Sequence, residues 1–281
     1  MMQASRLTSA PGPIGVFDSG YGGLTVLSQI RALMPQFDYI YLGDNARAPY
    51  GNRSFELVYE FTRQAVERLF RMGCHLVILA CNTASAKALR TIQQRDLPLI
   101  DPNRRVLGVI RPTAECVGLF THTRHVGILA TPGTIRSHTY NLEIAKLFPD
   151  IHVEGEACPM WVPLVENREW ESPGADYFVK QHLTRLLTTD PLIDAIILGC
   201  THYPLLLPKI RQFTPSGIRL IPQGQYVATS LHTYLGRHPE MMNRITCGAS
   251  IRFLTTEQPD SFAQSASIFL SHPVIAEHVT L

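Results

Sequence analysis

The chain has 281 residues, of which 45% are hydrophobic and 17% are charged, and its formal net charge is +2. This composition predicts an ordinary globular protein with one large or two modest domains, and the charge does not favour a nucleic-acid partner. No apolar stretch approaches the length needed to span a bilayer. The polar residues 1–13 lack the apolar stretch of a secretory signal. We therefore expect a cytoplasmic protein with no membrane contact.

Strand and helix patterns alternate along the first hundred residues. The predicted strands lie at 14–17, 37–42 and 76–80, and the predicted helices at 24–34, 55–72 and 84–94. The helices have apolar residues at helical spacing, and each strand is a short apolar run. Strands that alternate with helices predict a parallel α/β architecture.

The pattern then restarts. Further strands are predicted at 124–130 and 195–198, and further helices at 135–148, 177–187 and 205–213. When the segment 15–19 is aligned with 127–131, Ser19 falls opposite Thr131, and a cysteine follows each at a similar interval. We predict two similar parallel-sheet α/β domains related by internal duplication, with the active site in the cleft between them. The first domain comprises 1–110 plus 222–281, which includes a returning strand at 251–254, and the second comprises 111–221.

Six cysteines are far apart and form no C-x-x-C pair. Disulfides are not expected in a reducing compartment, and the spacing does not fit a structural zinc site. A strand-terminal cysteine is most often a small buried hydrophobe. That interpretation is adopted for the cysteines at 74, 116, 158 and 247.

Cys81 and Cys200 differ from the other four cysteines, because each of them follows a buried-strand pattern and the two segments resemble one another. The two segments read Leu76-Val77-Ile78-Leu79-Ala80-Cys81-Asn82-Thr83 and Ala195-Ile196-Ile197-Leu198-Gly199-Cys200-Thr201-His202. The carboxyl end of a parallel strand is where open α/β sheets usually bind ligands. A following helix N-terminus can hold a carboxylate and lowers the pKa of a nearby thiol. Two such thiols in repeated halves predict two proton carriers that face one substrate.

Five motifs between about Ile14 and Leu220 resemble, in order, those of the glutamate racemase family. These isomerases supply D-glutamate for peptidoglycan, and therefore for cell-wall biogenesis and cell shape, without a cofactor. The matching segments are Phe17-Asp18-Ser19-Gly20-x-Gly22-Gly23-Leu24, Gly43-Asp44-x5-Tyr50-Gly51, Ala80-Cys81-Asn82-Thr83-Ala84, Ala130-Thr131-x-Gly133-Thr134 and Leu198-Gly199-Cys200-Thr201-His202-Tyr203-Pro204.

The resemblance implies a role for each matching residue. Cys81 and Cys200 would be acid/base thiols on opposite faces of the glutamate Cα, with Asp18 near the first and His202 near the second. The substrate's carboxylates and ammonium would be held by Ser19, Tyr50, Gly51, Asn82, Thr83, Thr131, Thr134 and Thr201, and the auxiliary residues would be Asp44 and Glu166. The resemblance implies no metal and no cofactor. Glutamate is the expected partner, and a homodimer is compatible with the resemblance.

Two segments depart from the family's usual pattern. They read Arg111-Pro112-Thr113 and Ile221-Pro222-Gln223-Gly224, and both are expected near the domain junction. One alternative function is a racemase of the same superfamily that acts on aspartate or a hydantoin. Another is a catalytically inactive protein that keeps the fold and binds a partner such as a DNA topoisomerase. The intact cysteine pair argues against the inactive protein.

Overall fold

A computed structural model of the protein describes residues 9–281, in which ten parallel strands form two sheets. The first sheet has six strands in the order β10-β9-β2-β1-β3-β4. Their bounds are β1 Ile14–Asp18, β2 Tyr39–Gly43, β3 Leu76–Leu79, β4 Arg105–Gly108, β9 Ile251–Thr255 and β10 Ala276–His278. The predicted strand at 251–254 therefore lies in the first sheet, beside β2.

The second sheet has four strands in the order β6-β5-β7-β8. Their bounds are β5 His125–Ala130, β6 His152–Ala157, β7 Ala195–Gly199 and β8 Arg219–Pro222. The two-sheet α/β architecture predicted from the sequence is confirmed. The domain limits at 110/111 and 221/222 stay a prediction, and residues 1–8 of the first predicted domain lie outside the described residues.

The two sheets share one strand order, because β2-β1-β3-β4 corresponds to β6-β5-β7-β8. The register is equivalent as well. Phe17 lies opposite Leu79 between β1 and β3, and the equivalent residue Leu129 lies opposite Leu198 between β5 and β7. The residues that follow these pairs include Cys81 in one sheet and Cys200 in the other. The duplication therefore places the two thiols at equivalent strand ends.

Helices cover the sheets, as the α/β pattern requires. Their bounds are α1 Leu24–Leu33, α2 Phe55–Arg71, α3 Asn82–Lys87, α4 Leu89–Thr91, α5 Leu97–Ile100, α6 Ile110–Cys116, α7 Pro132–Arg136, α8 Thr139–Leu147, α9 Trp161–Glu166, α10 Pro173–Thr189, α11 Tyr203–Phe213, α12 Gly224–Arg237, α13 Pro239–Met242 and α14 Pro259–Leu270. No helix in the described part of the chain is both long enough and apolar enough to cross a bilayer.

Two helix predictions need correction. The segment predicted as one helix at 84–94 belongs to a longer helical run, 82–100, that is divided into α3, α4, a π turn and α5. The helix predicted at 135–148 is two helices, α7 and α8, separated at Ser137 and His138. His138 adopts a left-handed φ of 53°, and the Ser137 hydroxyl bonds to the backbone of Thr134 and Thr139. Serine hydroxyls that bond to nearby backbone in this way compete with helical hydrogen bonds.

Candidate active site

A small cavity lies where the carboxyl ends of β1 and β3 face those of β5 and β7. Its volume is about 60 Å³, well below the several hundred Å³ typical of sites for drug-sized ligands, so it suits a ligand of few atoms. Eleven of the fourteen residues predicted for the site line it: Ser19, Tyr50, Gly51, Cys81, Asn82, Thr83, Thr131, Glu166, Cys200, Thr201 and His202.

The first thiol belongs to the loop between β3 and α3. Cys81 caps α3, and its Sγ accepts a hydrogen bond from the Ala84 backbone N–H at 3.4 Å. Ser19 Oγ lies 3.4 Å from the same sulfur. Burial raises the pKa of Cys81 to about 12, and the nearby Asp18 carboxyl adds to the increase. A thiol with this pKa stays protonated at neutral pH.

The second thiol belongs to the loop between β7 and α11. Cys200 Sγ lies 3.8 Å from His202 Nδ1, and His202 Nε2 lies 3.0 Å from Glu166 Oε1. Burial alone would lower the pKa of His202, but its interactions with Cys200 and Glu166 outweigh burial and raise it to about 10. The imidazole is therefore charged at neutral pH. A cation beside a thiol favours the thiolate, so the two thiols have opposite electrostatic surroundings.

Asp18 lies behind the cavity, between the two thiol loops, and is fully buried. Its carboxylate accepts hydrogen bonds from the Gly20 N–H at 2.9 Å and from the Thr201 hydroxyl at 3.4 Å. Burial raises the pKa of Asp18, and the charge on His202 opposes this effect. The carboxyl thus influences Cys81 electrostatically and contacts the Cys200 loop directly.

Gly22 permits this close approach of the first turn to the second thiol loop. A Cβ atom at Gly22 would overlap both Thr201 Oγ1 and His202 Nδ1. Any larger residue would therefore move the loop that carries Cys200. This contact gives a physical reason for the glycine that the sequence motif contains.

Three threonine hydroxyls meet at the opposite wall. Thr83 Oγ1 lies 2.9 Å from Thr131 Oγ1 and 3.4 Å from Thr134 Oγ1, and the latter two are 3.1 Å apart. Thr83 follows β3 of the first sheet, whereas the other two follow β5 of the second. The cluster therefore spans both sheets. Thr134 supports it from behind, since the cavity lining includes Thr83 and Thr131 but not Thr134.

Tyr50 and Gly51 form a third part of the wall, on the segment after β2. The Tyr50 hydroxyl donates to the buried Asp44 carboxylate, which also accepts from Arg47 Nε at 2.7 Å and Thr256 Oγ1 at 2.8 Å. Asp44 therefore holds Tyr50 in place and does not line the cavity. Gly51 is fixed from the other sheet, because its carbonyl accepts the Gly133 N–H at 2.8 Å.

Several residues of this region are not among those predicted from the sequence. Cys158, interpreted as a buried hydrophobe, is buried but also lines the cavity, as does Val162. Tyr140 and Gln223 hydrogen-bond to Asn82 from other elements. No local pattern could have revealed these contacts, since each partner is more than fifty positions away in sequence.

The surroundings of the cavity limit its chemistry. Its lining, as far as the chain is described, contains no lysine or arginine. Apart from the charged His202, the donors that it offers to a ligand are neutral hydroxyl, amide and backbone groups. Among residues 9–281, no three histidine, cysteine or acidic side chains are grouped so that they could hold a metal ion. A larger cavity of about 670 Å³ lies elsewhere, and none of the fourteen predicted residues lines it.

Comparison with known proteins supports the family suggested by the motifs. The Asp/Glu/Hydantoin racemase family model matches residues 25–230. A glutamate racemase of Paracoccus denitrificans is 41% identical over 271 residues, which cover 93% of this chain and 97% of that protein.

Solved structures agree. The crystal structure of a glutamate racemase isoform from Bacillus anthracis superposes with a TM-score of 0.87 at 34% identity, over 96% of this chain and 98% of that one. The glutamate racemase of Francisella tularensis, solved in complex with D-glutamate, gives a TM-score of 0.84 at 32% identity with the same coverage. The expectation of a racemase is thus confirmed at the level of the family: this chain belongs to the Asp/Glu/hydantoin racemases.

Proposed function

We propose that the protein interconverts L- and D-glutamate by proton transfer between two thiols, and that it does so in the cytoplasm to supply D-glutamate for peptidoglycan. The observation that carries the reaction is the pair of buried thiols, Cys81 and Cys200, at equivalent strand ends on one small cavity. Racemisation requires a base on one face of Cα and an acid on the other. The domain limits and homodimer predicted from the sequence are retained as part of this proposal.

The unequal surroundings of the thiols suggest the resting protonation state. Cys81, whose pKa burial raises to about 12, begins as a thiol. Cys200 lies beside the charged His202 and is proposed as the base. Cys200 then removes the Cα proton from one enantiomer, breaking the C–H bond and leaving its electron pair on the substrate. Cys81 donates its proton to the opposite face.

After this turnover the protonation states are exchanged, with a thiol at Cys200 and a thiolate at Cys81. That form is suited to the opposite enantiomer, which returns the enzyme to its starting state. Exchange of protons with solvent also resets it. Asp18 assists this exchange from behind Cys81, and its absence from the cavity lining favours that role over contact with the substrate ammonium.

The intermediate carries negative charge on the α-carboxylate, which donors fixed before the reaction can stabilise. The hydroxyl cluster of Thr83 and Thr131 provides such donors, with Ser19 close to Cys81. Preorganised donors of this kind are worth about 10²- to 10³-fold in rate each. Neutral donors suit a cavity whose lining, within the described residues, has no lysine or arginine and has His202 as its positive group.

The test is turnover of each enantiomer of glutamate, of aspartate and of a hydantoin by the purified protein, followed by circular dichroism. We expect kcat/KM for glutamate to exceed that for aspartate by about 10- to 200-fold, the usual value of one methylene. Preference for aspartate or a hydantoin would contradict the assignment of substrate. Absence of turnover with all of them would favour the inactive binding protein.

A further inference from the structure

Three buried side chains form a closed ring of hydrogen bonds next to the first thiol. The Asn82 amide donates from Nδ2 to Gln223 Oε1 at 2.6 Å, Gln223 Nε2 donates to the Tyr140 hydroxyl at 2.5 Å, and that hydroxyl donates to Asn82 Oδ1 at 2.7 Å. Each of the three is at most 3% exposed. Every member both donates and accepts, so the ring closes on itself.

The direction in which the hydrogen bonds run around the ring is fixed by the segment after β4, where the chain first crosses from the first sheet to the second. The Val109 carbonyl, which can only accept, takes the hydroxyl proton of Thr113 at 3.2 Å. That hydroxyl has no second proton to give, so it accepts from Gln223 Nε2 at 3.1 Å. The Gln223 oxygen must therefore point toward Asn82, and the Asn82 N–H₂ group must donate to it.

The ring also joins the parts of the protein that must meet around the substrate. Asn82 follows Cys81 at the end of the first sheet and lines the cavity. Tyr140 lies on α8, and a Cβ atom at Gly199, the residue before Cys200, would be 3.3 Å from its ring. Gln223 follows β8, where the chain crosses back to the first sheet. One network therefore joins the first thiol loop, the end of the strand before the second thiol, and both chain crossings.

Asn82 keeps free bonding capacity for a ligand. Its amide has two N–H donors and an oxygen with two lone pairs, and the ring uses one of each. Because the ring fixes the orientation of the Asn82 amide, it also fixes where the remaining N–H donor and the remaining lone pair of the oxygen lie. In a site whose lining, among residues 9–281, has no lysine or arginine, a donor with a defined direction is important for binding a carboxylate.

We propose that Gln223 and Tyr140 are positioning residues that act through Asn82, by fixing which of its amide groups faces the bound amino acid. This proposal rests on the proposed function, since it assigns these residues to the same site. It also explains two positions at which the sequence departs from the family's usual pattern, Thr113 and Gln223. These two residues are hydrogen-bonded to each other and together set the direction of the hydrogen bonds in the ring.

A double-mutant cycle on the full-length protein tests the proposal. Gln223→Met keeps the length of the side chain but removes its donors and acceptor, and Tyr140→Phe removes a single oxygen. Each is made in the wild type and in Asn82→Ala, and kcat, KM and the melting temperature are measured for both enantiomers. Gln93→Met is the control for the chemical change, because it removes a glutamine-to-carbonyl hydrogen bond outside the site, at an exposed position.

We expect each ring variant to lower kcat/KM about tenfold or more, the usual effect of leaving buried polar groups unpaired. In the Asn82→Ala background the same changes should have an effect below about twofold. Gln93→Met should leave kcat/KM unchanged even if it melts earlier. Equal losses in both backgrounds would overturn the proposal, because the residues would then not act through Asn82. If Gln223→Met does not fold, Tyr140→Phe alone decides.

The cycle is independent of the identity of the substrate. If the wild type racemises another amino acid in place of glutamate, the proposed substrate is wrong, but the coupling can still be measured with that amino acid. If the wild type does turn over glutamate but the cycle shows no coupling between Asn82 and the other two residues, only the positioning role is contradicted.

Discussion

Replacing Glu166 by Gln should move the alkaline limb of the pH–rate profile to lower pH. The carboxylate and His202 are 3.0 Å apart, and only 25% of the Glu166 side chain is exposed. Glutamine preserves the size of the side chain and an oxygen that can accept from the imidazole. The substitution therefore removes the charge and little else.

The size of the change follows from the geometry. Two unit charges about 3 Å apart interact by roughly 5 kcal/mol at an effective dielectric constant of 20, and partial exposure of the carboxylate reduces this. Opposite charges at such distances typically change a pKa by about 1 to 3. The pKa of His202, about 10 in the wild type, should fall by that amount. At pH 7 activity should change by about twofold at most, whereas at pH 9 it should fall by about twofold for a pKa change of 1 and about tenfold for a change of 2.

The assay is kcat/KM for glutamate between pH 6 and 11, with Glu171→Gln as control. Glu171 is an exposed acid just beyond α9, so its variant should keep the wild-type profile. An alkaline limb that stays near pH 10 in Glu166→Gln would refute the idea that Glu166 maintains the charge of His202. A general loss of activity without any change in the limb would point to a structural effect instead.

Three further predictions concern packing, binding and stability. Gly22→Ala should reduce activity strongly and cost about 1 to 3 kcal/mol of folding stability, because its methyl group would overlap the second thiol loop. Gly236→Ala, which meets open space on α12, should stabilise by about 0.4 to 1 kcal/mol; unfolding in urea compares the two. Thr83→Val should lower kcat/KM for glutamate about 10²- to 10³-fold, because it removes one preorganised hydroxyl donor. Thr189→Val, at an exposed helix end, should leave kcat/KM unchanged in steady-state kinetics. Finally, the pKa of His202 rises from 6.5 to about 10 on folding. The contribution of His202 to the free energy of unfolding is therefore complete below pH 6.5 and is lost as the pH rises through 10. In denaturant titrations, His202→Gln should lose less stability than the wild type over that pH range.

The sequence predicted those parts of the site that depend on local patterns. Cys81 and Cys200 follow buried apolar strands, and such strands can only lie inside a sheet that is covered on both faces. The matching strand order of the two sheets follows from the duplication that Ser19 and Thr131 indicated. The strand β6 escaped prediction because, at a sheet edge, its residues are mostly half-buried and include no continuous apolar run.

Contacts between distant segments could not be predicted in the same way. The ring that joins Asn82 to Tyr140 and Gln223 depends on how α8 and the β8–α12 turn pack beside the first thiol loop. Asp44 was predicted only as an auxiliary, but its contacts with Tyr50 and Arg47 define its position behind the cavity. Such roles depend on tertiary packing, which no spacing of residues in one segment encodes.

The two-thiol reaction is tested most directly by incorporation of deuterium at Cα in heavy water, starting from each enantiomer. With one thiol on each face, product formed early should carry deuterium while the remaining substrate keeps its protium. Cys81→Ser and Cys200→Ser should each lower racemisation about 10²- to 10⁴-fold, the usual contribution of an acid/base group. Deuterium that appears equally in substrate and product, or a Ser variant that racemises glutamate at the wild-type rate, would contradict the account.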